Sequence, residues 1–160
     1  MEIAPEATAN GAAPPEPAAA PGSLQAAWSA VNFSSMPFWL AMIVAPRSAL
    51  TRRLMERVAP LHAVLSVVYS ATLLTAAVKA DERVDFTKLA SVSRTFQQPE
   101  AMLAGWTHYI SFDLFVGTWI WRRSLAEGRN ARLALLLTWW AGPAGLGLFA
   151  ARSRLPRWLG

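Results

Sequence analysis

Four apolar blocks, each about as long as a bilayer is thick, constrain this chain more than any other feature. Residues 26–46, 58–78 and 133–151 carry no charged side chain, and residues 101–121 carry one, Asp113. At about 1.5 Å per residue a block of this length reaches about 30 Å as a helix, the thickness of the hydrocarbon layer. Within hydrocarbon a backbone must satisfy its own N–H and C=O groups, which a helix does internally and an open strand does not. The expected fold is all-α. It is an integral membrane protein with four transmembrane helices at about 26–46, 58–78, 101–121 and 133–151, joined by short loops.

Charge is scarce enough to fit. Only 16% of residues are charged, against about a quarter in soluble domains. Residues 1–25, "MEIAPEATANGAAPPEPAAAPGSLQ", are Ala- and Pro-rich with three Glu and no Lys or Arg. Such a segment buries too little to fold, so a disordered tail is expected ahead of one domain over 26–160. The tail lacks the basic start of a secretory signal and the Arg-rich, acid-poor character of a transit peptide. There is no cysteine, which excludes disulfides, thiolate metal ligands and a thiol nucleophile.

The net charge of +5 lies in short loops beside the apolar blocks, which points to topology and lipid headgroups and away from nucleic acid. Arg47, Arg52, Arg53 and Arg57 follow the first block, and Arg122, Arg123, Arg129 and Arg132 follow the third. Both loops are expected to be cytoplasmic, with the N-terminus outside. The opposing set is Lys79, Arg83, Lys88, Arg94, Arg152, Arg154 and Arg157, so the contrast is thin. The second loop also contains "VDFTKLASVSRTF", where Val84, Leu89, Val92 and Phe96 predict a short amphipathic helix at the headgroups.

Asp113 is the residue that needs explaining. A carboxylate at a helix centre costs about 2.5–3.5 kcal/mol on insertion scales. No Lys or Arg occurs inside any block, so Asp113 is expected to be protonated or held by neutral donors. Such a group is either an intramembrane acid or base, or a polar contact holding two helices together. His108 lies about 140° around the same helix, which disfavours a direct pair with Asp113. Depth counting along alternating helices matches Tyr69 to Asp113 and Asn32 to His108. It sets His62 about 15 Å from His108, so no shared metal is expected. Pro37 and Pro143 are expected to kink the first and fourth helices, and "GPAGLG" to allow close approach. Trp28, Trp119 and Trp121 are placed as interface anchors, and Trp39, Trp139 and Trp140 deeper.

"APRSALTRR" (45–53), "FQQP" (96–99), "LAGWTHYISFDLFVGTWIWRR" (103–123) and "GPAGL" (142–146) resemble, in order and spacing, the abscisic-acid-deficient-four family, whose plant members are needed for neoxanthin synthesis. The resemblance implies a role in carotenoid or xanthophyll metabolism, with redox-neutral opening of an epoxide to an allene and an alcohol as the plant reaction. That isomerase chemistry needs an acid and a base in a long dry site, and no cofactor or metal. Asp113, His108 and Tyr69 are the candidate catalytic groups. Asn32, Trp106, Tyr109, Trp139, Gly142 and Pro143 are the candidate lining for an apolar, carotenoid-like ligand. The missing transit peptide suggests a bacterial inner membrane. Three readings stay open: an isomerase, a non-catalytic protein that binds carotenoid or steadies a membrane complex through other proteins or self-association, and a small proton-coupled transporter.

Overall fold

A computed structural model describes residues 21–80 and 83–153, and all regular structure among them is helical. The elements are α1 (Gly22–Ser34), α2 (Met36–Val44), α3 (Ala49–Met55), α4 (Val58–Lys79), α5 (Leu89–Thr95), α6 (Pro99–Glu127), α7 (Arg132–Ala141) and α8 (Pro143–Ser153). Most of the tail, with Asp81, Glu82, Arg154 and Arg157, lies outside the described residues. Residues 22–25, assigned to the tail from composition, are helical and begin α1.

The first block divides at Ser35, between α1 and α2, because Pro37 has no N–H for the carbonyl one turn back. Two stretches, Gly22–Val44 and Ala49–Lys79, are long and apolar enough to cross a membrane. On α4 the apolar side chains Val64, Val67, Leu74 and Val78 face outward, the reverse of a helix packed for water.

At the centre stands α6, touching α1, α2, α4, α7 and α8. It runs antiparallel to α4, since His62 meets Ser111, Tyr69 meets His108 and Lys79 meets Glu100 in turn. It runs parallel to the α1–α2 path, where Trp28 stacks on Trp106 and Trp39 covers Gly117. Between α2 and α3, the "APRSALTRR" turn is tied internally. Ser48 caps α3 by accepting the Thr51 N–H at 3.0 Å, and buried Thr51 donates to the Ala45 carbonyl at 2.7 Å. Trp121, expected as an interface anchor, is instead buried and donates to the Pro46 carbonyl at 2.9 Å.

The fourth block does not form one helix. It doubles back at Gly142 as a hairpin of two half-length helices. Arg132 on α7 reaches the Val44 carbonyl, and Trp139 stacks on Trp39, so α7 climbs antiparallel to α2. Beyond the turn Phe149 packs on Trp119, and Arg152 returns to line a cleft with Arg129 and Ala131. Gly142 has φ +39° and ψ −97°, a conformation open to glycine and strained for other residues. Gly145 lies against the Ala134 and Thr138 backbone, leaving no room for a side chain. A straight helix would separate Ala131 from Arg152 by about 30 Å. Spin labels at Ala131→Cys and Arg152→Cys, the only cysteines in the chain, are expected to report a distance under about 20 Å, and one near 30 Å would restore the straight helix.

The predicted amphipathic helix of loop two is shortened to the seven residues of α5. Asp85 accepts from the Thr87 N–H at 3.0 Å and from its hydroxyl at 2.6 Å, a local turn that keeps Val84 and Phe86 out of the helix. Leu89 and Phe86 are exposed.

Glu100, in the first turn of α6, is buried against the Lys79 ammonium. That hydrogen bond holds its carboxyl below the usual glutamate range. A carboxyl depressed in the fold contributes stability above that range and loses it as pH falls through the lower folded value. Lys79 is exposed, so the pair is worth no more than about 1 kcal/mol. Glu100→Gln is expected to remove the part of the melting-temperature loss that wild type shows below about pH 5. Identical acid profiles would dismiss the linkage.

Candidate functional site

Position 113 is the midpoint of α6, and the hairpin tip arrives there. A Cβ built on Gly142 would lie 2.6 Å from Asp113 Oδ1, so only a glycine lets the carboxyl sit against the turn. Pro143 opens α8 without an N–H, and the amide dipoles of α8 present their positive end toward the same place. Among the described residues no hydrogen-bond donor reaches Asp113. Its partner is the break in the fourth block, a feature that sequence reasoning treated as a kink.

The hairpin occupies only the half of the bundle toward Glu127. Along the other half of α6, the face above Asp113 has no α7 or α8 over it. Tyr109 and Trp106 follow Asp113 up this face at helical spacing. Tyr109 is 60% exposed and Trp106 36%. Trp106 Nε1 donates to Asn32 Oδ1 at 3.0 Å, and its ring stacks on Trp28 at 5.3 Å. This open face, called the bay below, has a carboxyl and a glycine turn at its lower end, and aromatic rings and one amide along it. Trp139, 37% exposed, stacks on buried Trp39 at 6.4 Å beside Gly117. Beyond it an open apolar recess of about 530 Å³ runs past Leu136, Leu137 and Trp140.

The expected pairings are therefore replaced. Asn32 serves Trp106 and leaves His108, and the Tyr69 ring lies against His108 at 5.8 Å and leaves Asp113. The register explains this: Lys79 is pinned to Glu100, and ten residues back from Lys79 is Tyr69 while ten on from Glu100 is Ile110. Tyr69 is thereby set near the level of His108, above Asp113.

His108 stacks on Phe112 at 4.4 Å and faces the α4 groove. Lower in that groove His62 Nδ1 and Ser111 Oγ are 3.2 Å apart, with Phe115 edge-on to His62 at 6.3 Å. This His62–Ser111 contact was not anticipated, because the relevant signal is two polar residues on different helices whose register is set elsewhere. Among the described residues no group of three His, Cys, Asp or Glu is arranged to hold a metal ion.

The candidate residues thus fall into two places. Asn32, Trp106, Tyr109, Asp113 and Gly142, with Pro143 beside the turn, belong to the bay. His108 and Tyr69 belong to the groove on the other side of α6. A family model described as ABA DEFICIENT 4-like matches residues 26–149. No match was found among curated proteins or among solved structures.

Proposed function

The chain belongs to the ABA DEFICIENT 4-like family, and from that premise we propose that it is a membrane-embedded isomerase acting on an epoxy-carotenoid or a related polyene at Asp113. Family membership ties the chain to carotenoid and neoxanthin biosynthesis. What supports the finer reading is one observation: the single carboxyl of the apolar blocks stands at the end of an open face lined with aromatic rings, with no donor reaching it among the described residues. In this reading α1–α2, α4 and α6 cross the bilayer, and the hairpin enters halfway and returns. Arg152 then joins the eight arginines of the first and third loops on one face, opposite Lys79, Arg83, Lys88 and Arg94. By the positive-inside rule that makes the basic face cytoplasmic and the N-terminus outside.

One carboxylic acid is sufficient for the chemistry. Its O–H gives a proton to the epoxide oxygen as the carbon–oxygen bond at the polyene end breaks. Its second oxygen takes the proton from the adjacent chain carbon, whose electron pair becomes the new double bond of the allene. The epoxide becomes an alcohol, the formula is unchanged and the carboxyl is regenerated, so no redox partner is consumed. Desolvation in the bay makes both transfers more effective than in water. Tyr109, Trp106 and Asn32 hold the polyene and its oxygenated ring above the acid.

A second reading has its own observation. Trp28, Trp106 and Tyr109 form a run of rings along α1 and α6, which suits a protein that binds a carotenoid without converting it. The test is the pigment profile of a carotenoid-producing host expressing wild type or Asp113→Asn at matched membrane levels. A new isomer that depends on Asp113 supports the isomerase. Unchanged pigments, with pigment co-purifying equally with both proteins, would reject it in favour of binding.

A further inference from the structure

Two clefts flank the start of α7, at the end of the bundle remote from the bay. The larger, of about 160 Å³, is lined by Arg47, Arg129, Asn130 and Arg132 together with apolar Leu135. The smaller shares Arg129 and Asn130 and adds Arg152 beside Phe149. Four arginines thus line two adjoining clefts, from two loops, the first turn of α7 and the last turn of α8. Arg152 is among them only because the hairpin returns.

Arg129 belongs to both clefts, and its side chain is only 14% exposed. The carboxylate nearest these groups, Glu127, is also bonded to Arg123, so positive charge is in excess. Asn130 Oδ1 accepts the Arg132 N–H at 3.1 Å, which turns the amide N–H2 toward use as a donor. Guanidinium forks with an amide donor suit phosphate oxygens, and the Leu135 and Phe149 walls suit the start of an acyl chain. Arginines that act only in topology need no concave site; Arg53 and Arg57, exposed on α3 and the following turn, line neither cleft.

We propose that these clefts bind the phosphate of an anionic phosphate ester, with an anionic lipid headgroup as its source. The site is separate from the bay and does not depend on polyene chemistry. The experiment is thermal melting of the full chain in neutral detergent with phosphatidylglycerol, phosphatidylcholine or inorganic phosphate added. Phosphatidylglycerol is expected to raise the melting temperature, and phosphatidylcholine to raise it much less. Each of R47Q and R152Q should increase the phosphatidylglycerol concentration required about fivefold, and the double variant about 25-fold. Neither side chain makes a hydrogen bond among the described residues, so melting without lipid should stay near wild type, and each single variant reports on one cleft. R53Q/R57Q should respond as wild type does. An equal response from wild type and R47Q/R152Q, or an equal loss in R53Q/R57Q, would overturn the site. A rise with inorganic phosphate alone, lost in R47Q/R152Q, would overturn the lipid as source and assign the clefts to free phosphate.

Discussion

Gly145→Ala is expected to open the hairpin, because a Cβ there makes the tightest clash among the described glycines. The new Cβ would overlap the Thr138 hydroxyl and the backbone at Ala134 and Thr138. A flexible side chain can turn aside, but a helical backbone cannot without losing its ladder. Overpacking that forces off-rotamer side chains already costs about 1–3 kcal/mol, so a backbone overlap should exceed about 3 kcal/mol. Gly142→Ala should be comparably damaging for two reasons. It combines a Cβ 2.6 Å from Asp113 Oδ1 with a positive φ. Gly147→Ala is the matched control, because a Cβ there meets nothing within 4 Å, and in a helix alanine gains about 0.5–1 kcal/mol over glycine. Melting temperature and protein level in membranes measure all three. A Gly145→Ala protein as stable as Gly147→Ala would mean the two half-helices are not packed together.

That contrast also shows where the sequence was informative. α4 and α6 were legible because charge-free length is a one-dimensional property, and each block ends at residues that water must reach. The hairpin was not, because hydropathy counts residues without direction; nineteen uncharged residues read the same whether they cross or return. The signal was present in Thr138, Gly142, Pro143 and Gly145, whose spacing fits two small faces meeting across a turn. It was read as a proline kink because in most membrane helices a proline bends the axis without reversing it. Asp113 was legible as the residue to explain, and it falls at the midpoint of α6. Its surroundings were not legible. Depth counting assumed unstaggered helices, whereas the Lys79–Glu100 pair sets the register and gives Tyr69 to His108.

On the proposed isomerase reading, Asp113→Asn is expected to cut product formation by at least about 100-fold while leaving the fold in place. The amide matches the carboxyl in shape, and no hydrogen bond is lost, since no described donor reaches Asp113. The protein level should therefore hold, unlike that of Gly142→Ala, which disturbs the same contact sterically. Asparagine can neither give nor take the proton that epoxide opening requires. Positioned proton transfer contributes about 10²–10⁴-fold to such reactions, so the isomer should fall by at least about 100-fold. Asp113→Glu tests position rather than acidity. Its extra methylene must enter the space against the Gly142 turn, and partial activity with lowered stability is expected. His108→Ala separates the two faces of α6. His108 stacks on Phe112 and meets Tyr69 in the α4 groove, away from the bay, so activity should stay within about threefold of wild type, well short of the loss that removing a proton-transfer group brings. A His108→Ala loss as deep as that of Asp113→Asn, at equal protein level, would move the reacting polyene into the α4 groove. The acid would then have to reach it around the helix, from a side chain about 140° away.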